Sequence, residues 1–434
     1  MVQQNRPIVY FVALAIVACG ACIGWWLRNP ESSGSFQAPV ISGSMATTAP
    51  GPHYALQCYD CKIPLIVDAT TVSNENLPVC FNCGASNSLD DISVSMISVS
   101  CVEVRDKDLQ RWQRVVFDYD DTRYLKRIIG LPGEKIAIEG GELFVDGNLY
   151  QKDLTEFDQL STLVFDSRYQ PLDSSYDMLK RFEARADDLG WIYTLDKVFA
   201  FDAPEKTHLQ WMDYHHWNVV AGFVPHTQRG TPTAIFDYLP YNQFISRTQL
   251  NFVDDVVADL TLRIYEPGVV GLRLLDIELE FDFKQFNVRI RQSDSVRASF
   301  SFPRVRWNDK GTDVELRAGL LDGRLVIQIN SLEPERGISI QRPVLTGNFE
   351  TDLAKRTTPL SISADEGSLD LTHLKIARDI YWLGADYTAS RWEPEWTGKG
   401  ASFLLIGDNQ PVSRDCRQWG EGIGREAIVG RMID

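Results

Sequence analysis

Three groups of residues have types and spacing that can do chemistry. The first is Ser42-Gly43-Ser44-Met45, a serine-glycine stretch that by itself reads as well as a loop as a nucleophile site. The second is Lys126 in LKRIIGLPGE, a single lysine whose strand face it shares with Ile128. Burial against such neighbours disfavours the ammonium form and lowers the pKa, which is what a lysine acting as general base near neutral pH requires. The plainer reading is a lysine snorkelling from a strand edge. The third is the polar run Ser413, Asp415 and Arg417, which follows a Gly-Asp-Asn turn at 407–409. Separately, Cys58-x2-Cys61 and Cys80-x2-Cys83 have the spacing of two zinc knuckles, four thiolates for one tetrahedral ion. Pro64 and Gly84 suit the knuckle turns. Disulfides are the alternative, favoured by an oxidising compartment. A four-ligand site leaves no open position, so either role is structural. Cys101 and Cys416 are left to pair or to remain free.

The elements that must position these residues are mostly strands. Residues 114–119 (RVVFDY) and 124–129 (YLKRII) are rich in β-formers, and Gly140-Gly141 turns between two short strands. Residues 173–189 have helical spacing in Tyr176, Leu179, Phe182 and Leu189. Ile277, Leu279, Phe281 and Phe283 alternate with acidic residues, and the phase slips at Lys284-Gln285 before Phe286, Val288 and Ile290, as at a bulge or tight connection. Asp322-Gly323 is suited to a two-residue hairpin turn ahead of Leu325, Ile327 and Ile329. Alternating strands with little helix between them predict a β-sandwich.

The whole chain has 434 residues, longer than one core usually serves, so two or three domains are expected. Its 43 basic and 59 acidic residues give a net charge of −16, which offers no electrostatic support for a nucleic-acid partner. Residues 8–27 carry no charge, lie between Arg6 and Arg28 and end in Trp25-Trp26, the pattern of one transmembrane helix. The rival reading is a cleaved leader with Cys19 as a lipid attachment site. Both readings tether the remainder to a membrane. Trp211, His215, His216 and Trp217 form an aromatic cluster that fits a core edge as well as a sugar platform.

In this order, and behind an anchor, the serine, lysine and Gly-Asp-Asn segments resemble type I signal peptidase, a membrane-bound serine peptidase with a Ser-Lys dyad. The resemblance covers about residues 8–53, 110–150 and 370–433. It implies Ser44 as nucleophile and Lys126 as general base, with Ser42 joining the Ser44 backbone N–H in the oxyanion hole. Ser413 would hydrogen-bond the lysine, and Asp415 and Arg417 would form an ion pair shaping the site. It further implies exported preproteins as substrates, small residues at −3 and −1 of the cleavage site, no cofactor for catalysis, and an apolar surface resting on membrane lipid. The location implied is the bacterial inner membrane, single-pass, with the catalytic part on the extracytoplasmic side. Four positions depart from the pattern: Thr47, Gln410, Cys416 and the Trp112-Gln113-Arg114 run.

The expected fold is mainly β. A signal-peptidase-type catalytic domain is split over 36–53, 94–150 and 370–434, with a zinc-ribbon-like insertion at 54–90. A β-rich insertion fills 151–369, jelly-roll-like in its second half. The competing reading is a catalytically weak or inactive membrane-tethered binding protein that works through the jelly roll. A self-cleaving Ser-Lys regulator is disfavoured by the anchor and by the lack of a DNA-binding segment.

Overall fold

The computed structural model describes residues 34–104, 109–172, 181–185, 190–194, 199–203, 208–217, 232–246, 249–292, 295–330, 338–339, 353 and 355–433. The expected anchor at 8–27 lies outside them. Among the described residues no helix is long and apolar enough to cross a membrane.

The chain is mainly β. One antiparallel sheet carries the strands flagged for chemistry, in the spatial order Ser35–Pro39, Ser98–Glu103, Ile428–Met432, Arg114–Tyr119, Thr122–Gly130, Ser402–Ile406, Ile423–Gly424. Its strands come from three stretches of sequence far apart in the chain, so the domain closes only when its N-terminal, central and C-terminal parts meet. Val115, Phe117, Ile128, Ile129, Leu404, Leu405 and Ile406 form its core with Trp112 and Trp382. The turn at Gly140-Gly141 is as expected: both glycines have positive φ, 60° and 89°, between the strands Ile136–Glu139 and Glu142–Val145. At Gly141 a Cβ would come within 2.3 Å of the Tyr381 ring, so the close approach itself requires glycine.

The large insertion is two antiparallel sheets packed face to face over one apolar core. One sheet is centred on Gly367–Arg378 paired with Val256–Glu266. The other runs from Phe182–Ala184 through Gln210–Tyr214, Leu360–Asp365, Val269–Leu274 and Ile277–Asp282 to Ser295–Ser301. Successive strands change sheet, as Phe199–Ala203, Gln210–Tyr214, Val256–Glu266 and Val269–Leu274 do in turn. The alternation holds: Ile277, Leu279, Phe281 and Phe283 are buried while Glu278, Glu280 and Asp282 are partly exposed. The phase slip is the tight connection from Ile277–Asp282 to Asn287–Gln292. Asp322-Gly323 makes the hairpin with φ of 47° and 74°.

Three expectations need correction. The sandwich ends after Arg378 rather than at 369, because Gly367–Arg378 pairs along Val256–Glu266 inside it. It is also not confined to the second half of the insertion, since Thr162–Asp166, Phe199–Ala203 and Gln210–Tyr214 all pair into it. The helical spacing at 173–189 is misleading, because Phe182–Ala184 is a strand against Gln210–Tyr214; residues 173–180 and 186–189 lie outside those described. Packing against Phe165, Phe199 and Tyr214 places Phe182 in the sandwich core, which overrides the local periodicity. A short helix not foreseen in the sequence, Leu154–Leu160, starts at the Asp153 capping box and buries Leu154, Phe157 and Leu160.

Candidate active site

Lys126 sits in the middle of Thr122–Gly130, opposite Val115 of the neighbouring strand. Its side chain is only 2% exposed, so the snorkelling alternative does not hold. Nζ lies 2.7 Å from Ser44 Oγ and 3.0 Å from Ser413 Oγ. Burial is the largest influence on the ammonium group and Asp415 opposes it, leaving the pKa lowered to about 8. A lysine in this position is substantially neutral at mildly alkaline pH and can accept a hydroxyl proton.

The Ser44 segment is a bend between the strands Ser35–Pro39 and His53–Gln57. It is held from several sides. Ala46 N–H donates to Gly43 O at 3.1 Å, Asn409 N–H to Ser44 O at 3.1 Å, and Asn409 Nδ2 to Gly43 O at 2.9 Å. Ser42 Oγ is 3.3 Å from Ser44 Oγ, and both serines keep solvent access while Met45 behind them is buried. Gly407 passes so close that a Cβ there would meet Ser413 Oγ at 2.2 Å and Ser44 O at 2.5 Å. Gly-Asp-Asn therefore works as a backbone seat for the serine segment.

Ser413 donates to Asp415 Oδ2 at 2.6 Å, which leaves its oxygen facing Lys126 as an acceptor. Asp415 caps the helix Cys416–Trp419 and takes two hydrogen bonds from Arg417, Nε at 2.8 Å and Nη2 at 2.9 Å, with no side-chain exposure on either partner. Burial pulls the Asp415 carboxyl upward, but Arg417, Lys126 and Ser413 together hold it below the usual range. Two of the departures from the signal-peptidase pattern, Gln410 and Cys416, have structural partners. Gln410 is buried, accepts from Arg417 Nη1 at 2.8 Å and donates to Gly407 O at 2.7 Å. Cys416 Sγ accepts from Leu405 N–H at 3.3 Å, and Thr47 is exposed. Cys416 and Cys101 do not pair: both are buried free thiols in different parts of the core.

Sequence reasoning assigned no role to Arg127, Asp408, Asn409, Tyr241 or Asn242. Arg127 makes a two-pronged pair with Asp408, at 2.7 and 2.6 Å, and Thr48 Oγ1 donates to Asp408 Oδ2 at 2.7 Å, so this pair also braces the serine segment. The signal for Asp408 and Asn409 was present in the Gly-Asp-Asn turn. Tyr241 and Asn242 lie in the insertion, where no motif pointed to them. The Trp211, His215, His216 and Trp217 cluster resolves into a core edge, with Trp211, His216 and Trp217 buried and Arg181 stacked over Trp217.

The four cysteines Cys58, Cys61, Cys80 and Cys83 are buried, and their sulfurs all lie within 4.8 Å of one another. The Cys58–Cys83 and Cys61–Cys80 distances are 3.5 and 3.6 Å. The two knuckles repeat one geometry. Lys62 N–H donates to Cys58 O and Gly84 N–H to Cys80 O, and both donors have positive φ. Cys58 N–H and Cys80 N–H donate to Ile63 O and Ala85 O in the same way. A tetrahedral ion with metal–sulfur bonds of about 2.3 Å separates its sulfurs by about 3.8 Å, so the donor set fits zinc.

No curated protein matches the chain in sequence. Solved structures similar to part of it include the carbohydrate binding module CBM66 from Bacillus subtilis, at 9% identity over 46% of this chain and 93% of that one, TM-score 0.24. Another is the Ca2+-bound VIP36 exoplasmic/lumenal domain, at 12% identity over 51% and 91%, TM-score 0.29. Sheep galectin-11 in complex with glycerol matches at 11% identity over 33% and 98%, TM-score 0.20. The sandwich described above rests on its own strand pairing rather than on these likenesses. Residues 84–185 match the family model "Signal peptidase, peptidase S26", a span that holds Lys126 but neither Ser44 nor Ser413, and this match supports a peptidase of the signal peptidase kind.

Proposed function

We propose that the chain is a membrane-bound serine endopeptidase that removes N-terminal signal peptides from exported preproteins by a Ser-Lys mechanism. The observation that carries the reading is the 2.7 Å approach of a buried lysine nitrogen to a solvent-accessible serine hydroxyl. Neutral Lys126 takes the proton of Ser44 Oγ as that oxygen attacks the scissile carbonyl, and the resulting ammonium passes the proton to the leaving amine. Ser42 Oγ–H and the Ser44 backbone N–H stabilise the developing oxyanion, each good donor contributing roughly 3 kcal/mol. A water deprotonated by Lys126 then attacks the acyl-enzyme carbonyl, and the proton passes from Lys126 to Ser44 Oγ as the ester bond breaks. Ser413 holds the lysine on line, and the Asp415–Arg417 pair holds Ser413.

Ile41 and Val412, 70% and 54% exposed, are close in sequence to Ser42 and Ser413, which supports an apolar rim facing lipid beside the site. With residues 8–27 as the anchor, the catalytic part would lie on the extracytoplasmic side of a bacterial inner membrane. Zinc held by Cys58, Cys61, Cys80 and Cys83 would be structural, closing the small module between the serine segment and the lysine strand.

The test is a preprotein-cleavage assay with the full chain, Ser44→Ala and Lys126→Ala. Cleavage by the parent and none by either variant is expected. A parent that cleaves nothing, or variants that cleave as well as it does, would sink the assignment.

A further inference from the structure

The turn at residues 239–244 belongs to the large insertion, yet its middle residues Tyr241, Asn242 and Gln243 are buried, the first two of them beside the serine segment and Asn409. Asn242 and Asn409 exchange amide hydrogen bonds: Asn242 Nδ2 donates to Asn409 Oδ1 at 2.6 Å, and Asn409 Nδ2 to Asn242 Oδ1 at 2.8 Å. The same Asn409 binds Gly43 O and Ser44 O, so Asn242 reaches the nucleophile's backbone through one intermediary. Tyr241, fully buried, lies flush on Gly43; a Cβ added there would stand 2.6 Å from its ring. The next residue joins the turn to the four-cysteine module. Gln243 Oε1 accepts from Val79 N–H at 3.0 Å, one residue before Cys80, and its Nε2 donates to Pro240 O at 2.7 Å. Tyr241 O accepts at 3.1 Å from the N–H of Asp68, which like Val79 lies between the two cysteine pairs. Phe81, inside the second knuckle, packs against Ala234, Phe236 and Tyr238.

We propose that residues 239–244 are a positioning element for the peptidase site, with Asn242 and Tyr241 fixing the Gly43-Ser44 backbone through Asn409 and by contact, and with Gln243 making that hold depend on the folded four-cysteine module. Asn242 touches no reacting atom; it acts through Asn409. A hydroxyl that must lie on line with Lys126 and with a carbonyl carbon tolerates little displacement, and small misplacements at such sites cost tenfold to about a hundredfold in rate. An insertion with no catalytic motif of its own thereby sets the rate of the site beside it. The inference rests on the Ser-Lys reading for its kinetic consequence, while its structural content stands apart from that reading.

The experiment compares full-length parent, Asn242→Ala, Asn409→Ala and the double variant by amide hydrogen exchange at residues 42–49 and 407–411 and by kcat and KM on a preprotein. Exchange at both segments should rise about tenfold in Asn242→Ala. Its kcat should fall tenfold or more with KM within about twofold, and the double variant should be no worse than Asn409→Ala alone. Asn242→Asp keeps the volume and the acceptor but loses the donor, and gives an intermediate loss; it serves if the alanine variant does not fold. Stripping metal with a chelator, verified by metal content and thiol count, should loosen the same two segments in the parent. Unchanged exchange in Asn242→Ala and Asn242→Asp, additive losses in the double variant, or no response to stripping would overturn the proposal. A parent that cleaves no preprotein while Asn242→Ala still loosens both segments would remove the Ser-Lys reading and leave the positioning element standing.

Discussion

Lys126 shows most directly how burial changes the acid–base chemistry of a side chain. Its pKa, lowered by burial to about 8, makes the neutral form scarce at acid pH. If it is the general base, kcat/KM should rise about tenfold per pH unit up to roughly pH 8 and then level off, and a flat profile between pH 6 and 8 would count against it. The same shift has a stability consequence. Because the folded pKa lies below the ordinary 10.5, the folded state resists protonation, so the penalty is fully present below about pH 8 and fades as pH rises toward 10.5. Lys126→Met should therefore be inactive yet unfold at or above the parent's midpoint at pH 7, as followed by thermal denaturation. A lysine in a largely apolar strand stood out in the sequence, but by itself it read as well as a snorkelling residue, and only the resemblance to signal peptidases suggested a role for it. Asn242 did not stand out, because an asparagine in a loop without a motif looks like any other turn residue.

At the scale of elements, the short helix Cys416–Trp419 and the knuckles show opposite uses of local chemistry. Asp415 caps that helix, pairs in full burial with the helix's own Arg417 and accepts from Ser413, so the helix and the Ser413 segment depend on one carboxylate. Arg417→Ala leaves that carboxylate buried without its partner and should cost about 3–5 kcal/mol in chemical denaturation, along with the alignment of Ser413. Arg417→Lys cannot reproduce both hydrogen bonds and should recover only part of the loss. The four cysteine sulfurs of the module sit in one buried cluster with Ile63, Leu65 and Ala85, and Leu56, Phe81, Leu163 and Tyr169 pack against it. Metal analysis should give close to one zinc per chain, and Cys80→Ser should lower that content and the module's resistance to proteolysis; a metal content near zero with no titratable thiols would mean disulfides instead. The cysteine spacing and the Asp-Gly hairpin were readable because each depends on contiguous residues. The helical spacing at 173–189 misled because Phe182 takes its place from sandwich contacts distant in sequence.

At the scale of the molecule, the question is how a sandwich of this size is attached without disturbing the sheet that carries the site. The chain enters the insertion near Lys152 and leaves it near Asp379, and both crossings meet at the Asp322 hairpin turn. Lys152 Nζ pairs with Asp322 and, at 2.9 Å, with Asp379, while Lys152 N–H donates to Asp322 Oδ2 at 2.7 Å and Asp322 N–H to Asp255 Oδ2 at 2.7 Å. All of these are buried. The helix Leu154–Leu160 braces the same junction, with Glu156 accepting from Trp112 Nε1 on one side and Asp158 pairing with Arg317 on the other. The sequence could not reveal this joint, since its charges lie about 170 and 230 residues from Lys152 in ordinary contexts. Burial pushes the Asp379 carboxyl up to about 7 against the pull of Lys152. A carboxyl whose folded pKa is raised contributes stability below its ordinary pKa and loses it as pH rises through the folded value. Lys152→Met leaves the carboxylates without a counter-charge, so it should destabilise by about 3–5 kcal/mol at pH 8 and by clearly less at pH 5, where protons can replace the lysine. Adding Asp322→Asn and Asp379→Asn removes the unpaired charges and should restore most of the loss at pH 8. Equal destabilisation by Lys152→Met at the two pH values would mean that packing, and not charge, holds the junction.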